Sequence, residues 1–493
     1  MTEVLLAKRK VFLALVISAV ILPTSVRTLV ANEPPQGKLP ADHTPSAKAP
    51  PVIALPKAQR AELEKLGKAI FFDKNLSNPP GVSCASCHDP QCGYAGSNNS
   101  QTNASIGIAP GAISGRFENR NPPTITYVQF CPGGTPTYDK TLQSYVGGFF
   151  RDGRASDLLQ QIRSPLFHPN EMNNVVGNAS SPKLVVKKVQ AASYAKSFER
   201  VFGPDVFNLP AQKILDLVAQ ALAAFEFSSE VSPFSSKYDA YLSGKVQLSP
   251  SELNGLRLVT GSVTGRAGGD LYKGGQCVIC HAIQDDPKKG PDLWTQFCYV
   301  NIGVPRNEKN PYYGETDKRA NPLGYNPLGA AYVDLGLGDC LYPLQGLPAG
   351  NLGPSSNGKG DFLHVNGTFK VTTLRNIDRR PNSKFIKAYM HNGVFKGLKE
   401  IVHFYNTRNL TSRGGEVIDF TRPNPYEGLK GKPLWPKPEY ASPDTLQNAE
   451  GLPGRIGNLG LTEADENDIV AFLKTLSDGY SVPAAKAAKS AGR

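Results

Sequence analysis

Two pentapeptides of the form C-x-x-C-H, helical hydrophobic spacing ahead of each, and abundant glycine and proline predict the fold class. It is a mainly α chain of two cytochrome c-like haem domains joined by long loops. Cys84-Ala-Ser-Cys87-His88 is the first pentapeptide, and Cys277-Val-Ile-Cys280-His281 follows 193 residues later (277 − 84). Two thiols at this spacing add to the two vinyl groups of one porphyrin, and the next histidine is then held beneath the iron as an axial ligand. Paired C-x-x-C units also bind zinc, but usually within one short module. A thioredoxin-like redox motif does not require the histidine. At this composition about 0.002 such pentapeptides arise by chance, so two of them point to two haems held by Cys84, Cys87, Cys277 and Cys280.

The helices are read from periodicity and caps. Residues 57–72 place Leu63, Leu66 and Ile70 on one face. Before the second pentapeptide, Ser249-Pro250-Ser251-Glu252 is a capping box with proline at the first helical position, and Leu253, Leu256 and Leu258 follow. Ile214 to Phe227 is amphipathic, and Thr462 caps a helix running to about Leu476 with acids in its first turn. Little alternates with period two. The 48 Gly and 41 Pro of the chain point to long loops, and an insertion at about 282–364 holds many of them.

At 493 residues the chain suggests two or three domains, and 40% hydrophobic with 19% charged residues is a globular composition. The N-terminus reads as an export signal over 1–31. Lys8, Arg9 and Lys10 precede an apolar run, Val11 to Leu22, that is short for a membrane span. Cleavage after Ala31 leaves Leu29 as a poor match to the small-residue rule, so contact with the membrane is expected only if the signal stays uncleaved. Its removal changes the net charge from +12 to 12 − 3 = +9. Residues 32–56 read as a Pro-rich linker, 57–245 and 246–480 as the two haem domains, and 481–493 as a disordered tail. Export places the protein in the periplasm, where c-type haem attachment occurs. The basic charges are scattered and carry no recognition motif, so nucleic acid is not an expected partner. Of the remaining cysteines, Cys92–Cys131 and Cys298–Cys340 would keep each bridge within one domain, although three pairings exist.

Several further segments occur in a set order. They are LGKAIFFDKNLS before the first pentapeptide, RNPPT at 120–124, DGRA at 152–155, ALAAFE at 221–226 and NIGVPRN at 301–307. FKVTTLRNI at 369–377, HNG at 391–393, FYN at 404–406 and LTEADENDIVAFLKTLSD complete the series. From about Leu66 to Asp478 the chain thus resembles the bacterial di-haem cytochrome c peroxidase family, and within it the MauG-like branch.

The resemblance implies a division of labour in which the N-terminal haem meets hydrogen peroxide and the C-terminal haem passes electrons. His88 would then be the proximal ligand of the peroxide-binding haem. Glu171, 19 residues after Asp152 (171 − 152), matches the distal acid–base residue, and Gln161 and Pro165 fall on distal-pocket positions. The blocking histidine of classical members has no counterpart, since no histidine lies between His88 and His168. His281 would be the proximal ligand of the second haem. Tyr405, 14 residues after His391 (405 − 391), stands where classical members carry methionine and MauG-like ones tyrosine. His391 and Arg154 would support these groups from behind. Arg151 occupies the position of an inter-haem tryptophan relay. Asn121 matches a side-chain ligand of an inter-domain calcium ion, with Ile386 and Ala388 at the positions that supply carbonyls.

The implied activity is reduction of hydrogen peroxide with electrons from a small periplasmic cytochrome c or cupredoxin. Two alternatives are MauG-type oxidation of Tyr or Trp in a protein substrate, and a di-haem electron carrier without catalysis. An oxygen-activating di-haem dioxygenase is less suited to a distal glutamate.

Overall fold

The computed structural model describes residues 57–139, 142, 144–261, 274–283, 291–344, 365–413, 430–441 and 456–483. The export signal, the linker, positions 484–493 of the tail and parts of the insertion lie outside the described residues. The protein is mostly helical, with four two-stranded antiparallel sheets among the described residues. No helix among them is long and apolar enough to cross a membrane.

The first hydrophobic core rests on α1 (Lys57–Phe71), α2 (Leu158–Phe167) and α3 (Ala211–Glu226). Helix α1 buries Leu63, Leu66, Gly67, Ile70 and Phe71, the single stripe that 3.6-residue periodicity requires. It lies across α3 at Gly67, where an added Cβ would overlap the carbonyl oxygen of Ala221. Glycine is what allows this close approach. Replacing Gly67 by Ala is expected to destabilise the protein by about 1–3 kcal/mol, the usual range for overpacking, read as a lower denaturant midpoint.

The second core repeats the device. Helix α4 (Pro250–Thr260) is started by Ser249, whose hydroxyl accepts from the Glu252 N–H, and ends at Gly261 in the left-handed region (φ +70°). It crosses α6 (Glu463–Lys474) at Gly255, where a Cβ would overlap the Asp468 carbonyl. Thr462 caps α6 in a reciprocal box with Asp465. Helix α5 (Leu398–Thr407) completes this core and buries Leu398, Val402 and Phe404.

Ion pairs and hydrogen bonds connect the two regions. Arg375 is fully buried and makes two bonds to Asp239, at 2.8 and 2.9 Å. The Tyr127 hydroxyl donates to Asp478 at 2.7 Å. In one small sheet, Tyr299 pairs with Lys370 and Val300 with Phe369, which brings together the chain on either side of residues 301–368.

The expected disulfides are not found: Cys92, Cys131, Cys298 and Cys340 are each unbridged. Cys92 lies against the Ser97 carbonyl, whereas Cys131 lies against that of Gly148. Cys298 lies beside Cys280 instead.

Candidate active site

Each pentapeptide opens onto its own cavity, so the four thiols do not converge on one metal ion. The first cavity has about 1080 Å³ of space, its open mouth included, and Cys84, Cys87 and His88 line it. Ser83 and Ser86 cap the short helix Cys84–Cys87 reciprocally, and His88 ends it. The His88 Nδ1 is 3.0 Å from the Tyr94 carbonyl. An imidazole that donates from Nδ1 keeps the lone pair on Nε2 for a metal, and the bond fixes the ring and raises its basicity. The second cavity is larger, about 1760 Å³ on the same measure, and Cys277, Cys280, His281 and Tyr405 line it. The His281 Nδ1 is 2.8 Å from the Trp294 carbonyl, which repeats the arrangement. Burial holds His281 down at about 4, as a neutral ligand must be. Two thiols with an oriented neutral imidazole, found twice, fit two c-type haems.

The wall of the first cavity also brings together Gln161, Pro165, Glu171 and Arg154. Gln161 and Pro165 are four residues apart on α2 and share its cavity-facing side. After α2 the chain turns tightly, with the Glu171 N–H donating to the His168 carbonyl at 3.0 Å. Burial pushes the Glu171 carboxyl up to about 7, and the negative charge of Glu118 adds to it. Burial would also raise Glu118, but the ion pair with His168 more than reverses that. His168 in turn is lifted to about 9, because attraction to Glu118 outweighs the burial that opposes it. The site thus holds one carboxylate fixed as an anion and a second poised near neutrality. Arg154 is partly exposed, stacks 3.6 Å above the Phe150 ring and pairs with Asp152 at 2.9 Å.

Two acids escaped the sequence reading here. Glu118 precedes the RNPPT segment, and only its contact with His168 singles it out. Glu226 ends the ALAAFE segment; it lines the first cavity, its Oε2 is without a hydrogen-bond partner among the described residues, and burial lifts it to about 8. A glutamate directly after the apolar run Ala221–Phe225 was the available signal.

Arg151 lines both cavities, and its Nε donates to the Asn121 carbonyl at 2.7 Å. Burial, reinforced by Arg120, lowers it to about 9. The Asn121 amide lies 3.2 Å from the Ala388 carbonyl and 3.4 Å from that of Met390. With the amide turned over, three oxygens would face one point, a donor set suited to calcium. Ile386 is engaged elsewhere, accepting from Asn103 at 3.1 Å. In the second cavity Tyr405 is carried by α5, and burial pushes its phenol well above the usual range. His391 stacks flat on Phe369, ring centroids 3.6 Å apart, with its Nε2 4.0 Å from Glu439.

Comparison with known proteins agrees with this geometry. Residues 61–247 match the sequence pattern of the family described as di-haem cytochrome c peroxidase. The methylamine utilization protein MauG of Paracoccus denitrificans is 31% identical over 451 residues, 90% of this chain and 97% of that protein. The cytochrome c551 peroxidase of Nitrosomonas europaea is 31% identical over 273 residues, 54% of this chain and 64% of that one. Among solved structures, the diheme peroxidase BthA from Burkholderia thailandensis aligns with a TM-score of 0.58 and 29% identity, covering 85% of this chain and 86% of that one. A match at this identity over nearly the whole length carries the oxidoreductase class and two c-type haems with it: the chain belongs to the di-haem cytochrome c peroxidase and MauG family.

Proposed function

We propose that the protein is a periplasmic peroxidase that reduces hydrogen peroxide to water in the cavity of His88. Its electrons would come from a small cytochrome c or cupredoxin. The observation that carries this reading is Glu171, a carboxyl poised near neutrality in the cavity that also holds His88. A haem bound there supplies a Lewis-acidic iron for peroxide and a store of oxidising equivalents. The protein supplies proton management. Glu171 takes the proton from the incoming peroxide and returns it to the departing oxygen, which favours uneven cleavage of the O–O bond. Glu118, held as an anion by His168, keeps Glu171 basic enough for the first transfer. Gln161 offers an amide donor at the same wall, and Pro165 shapes it. The balance is one peroxide, two electrons and two protons to two waters.

In this reading His88, His281 and Tyr405 are iron ligands and the four pentapeptide cysteines are haem tethers. Asn121, with the Ala388 and Met390 carbonyls, binds calcium. Tyr405 stabilises the oxidised iron of the second haem, as an oxygen ligand does better than a thioether. Tyr405 and the absence of a histidine between His88 and His168 also favour a second reading, MauG-type oxidation of a protein's Tyr or Trp side chains. Arg151 weighs against it, since a guanidinium cannot be oxidised as a relay.

Absorption and electron paramagnetic resonance spectra of the ferric holoprotein, before and after stoichiometric peroxide, test both. The expected resting state has one high-spin haem and one low-spin haem without methionine ligation, although Met390 lines the second cavity. Peroxide turnover that requires a reduced cytochrome or cupredoxin supports the peroxidase. A long-lived two-electron-oxidised state without any donor favours the protein-modifying reading. Two low-spin haems indifferent to peroxide would overturn both.

A further inference from the structure

Oxidising equivalents made in a buried cavity need a path to a donor too large to enter it, and Arg151, which lines both cavities, cannot itself be oxidised to carry them from one to the other. Three tyrosines of the insertion lie where such a path would run. Tyr312 and Tyr332 have ring centroids 5.3 Å apart, Tyr313 and Tyr332 6.1 Å, and Tyr312 and Tyr313 6.4 Å. Each ring therefore touches the other two.

The cluster meets both cavities. The Tyr332 hydroxyl accepts from the Asn119 side chain at 2.8 Å, and Asn119 lines the first cavity. The Tyr313 hydroxyl donates to Glu439 at 2.9 Å, and Glu439 lines the second. Tyr313 is buried, whereas Tyr312 and Tyr332 are half-exposed and reach the surface. Val333 and Leu328, 36% and 60% exposed, belong to the same stretch of chain.

Proton chemistry suits the same role. Burial pushes the Tyr312 phenol up to about 12, and those of Tyr313 and Tyr332 higher still. All three are protonated at neutral pH, so removing an electron requires a proton acceptor. Tyr313 has one in Glu439, whose second oxygen, Oε2, makes no hydrogen bond among the described residues. Arg306 stacks 3.6 Å from the Tyr313 ring and would oppose a cationic radical. It does not oppose a neutral one that has already passed its proton to the carboxylate.

We propose that Tyr312, Tyr313 and Tyr332 form a relay carrying oxidising equivalents from the peroxide cavity to the protein surface. For each equivalent, a tyrosine loses one electron inward and its phenolic proton passes to an acceptor, Glu439 for Tyr313 and solvent water for the half-buried Tyr312 and Tyr332. An electron from the outer donor then restores the phenolate, and the proton returns. Two such cycles supply the two electrons that one peroxide consumes. The proposal rests on the peroxidase reading above.

The test is rapid-freeze electron paramagnetic resonance of the holoprotein after one equivalent of peroxide, with haem absorption followed in parallel. Wild type is compared with a triple variant, Tyr312→Phe, Tyr313→Phe and Tyr332→Phe, and with Tyr138→Phe, an exposed tyrosine outside the cluster. Haem content and far-ultraviolet dichroism check that each variant is folded. The expected result is a tyrosyl signal in wild type and Tyr138→Phe that falls by at least an order of magnitude in the triple variant. Oxidation of a reduced small cytochrome c should fall with it. Glu439→Gln should slow the appearance of the signal. Haem absorption that responds to peroxide without a tyrosyl signal, or a signal that survives in the triple variant, overturns the relay alone. Wild-type haem that ignores peroxide overturns the peroxidase reading, and the relay with it.

Discussion

Replacing Glu171 by Gln is expected to lower the second-order rate constant for peroxide by about 10²–10⁴, the usual contribution of a positioned acid–base group. The amide keeps the size and polarity of the side chain but can neither take the peroxide proton nor give it back. Haem binding and the spectrum of the resting protein should be unaffected, which separates a lost proton transfer from a lost cavity. The pH profile is the sharper readout. Burial and the charge of Glu118 place the Glu171 carboxyl at about 7. The ionised form is the active one, so the wild-type rate should rise with pH through that region and level off above it. The Gln variant should be slow and flat over the same range. Neutralising Glu118 as Gln removes a negative neighbour, and this outweighs the opposing loss of positive charge on His168, so Glu171 should titrate lower and the rising limb should move to more acid pH. A wild-type rate independent of pH there, with full activity in Glu171→Gln, would remove this residue from the mechanism.

Replacing Arg375 by Met is expected to cost about 3–5 kcal/mol, the range for breaking a buried ion pair on one side. Arg375 is fully enclosed, holds Asp239 with both terminal nitrogens, and donates from Nε to the Asp292 carbonyl at 2.6 Å. Its guanidinium lies 4.6 Å from the Phe234 ring. Methionine fills much of the volume but leaves the Asp239 carboxylate buried without its counter-charge. Asp239→Asn should be costly for the complementary reason, an unpaired buried guanidinium. The double variant should lose less than the sum of the two, because the stranded charges are removed together. Denaturant midpoints of the holoprotein measure all three. Because Arg375 also lines the second cavity, haem content should be recorded beside them. Strict additivity would mean that the pair contributes little beyond its separate contacts.

What could be read in advance was local. The starts of α4 and α6 were legible because a capping box is written within four residues, and α1 because its apolar stripe repeats within one helix. The two thiol–imidazole sites were legible because haem attachment is itself a local spacing. Glu171 was legible only through resemblance, since nothing near it in sequence distinguishes it from a loop residue. Glu118 and Glu439 were not legible at all, and Glu226 only as the acid that closes the ALAAFE segment. Their importance comes from where the chain folds back, and Glu439 is 48 residues from His391, its neighbour in space (439 − 391). The cysteine bridges misled for the same reason. An even count in an oxidising compartment suggests pairing, but Cys92 and Cys131 are placed in different surroundings by the fold.

The short sheet that joins Tyr299–Val300 to Phe369–Lys370 has an evolutionary consequence. The chain leaves at one strand and returns at the neighbouring one, so the stretch between is an excursion that begins and ends at one fixed point of attachment. Lengthening such an excursion is cheap, since doubling a flexible loop costs only about 0.6 kcal/mol in closure entropy. The parts of it that line neither cavity can therefore change in length while Val304 and Asp334, which line the second cavity from within it, keep their places. If the tyrosine outlet lies in this excursion, a lineage could change the donor it accepts by replacing one cassette, without touching the residues that handle peroxide.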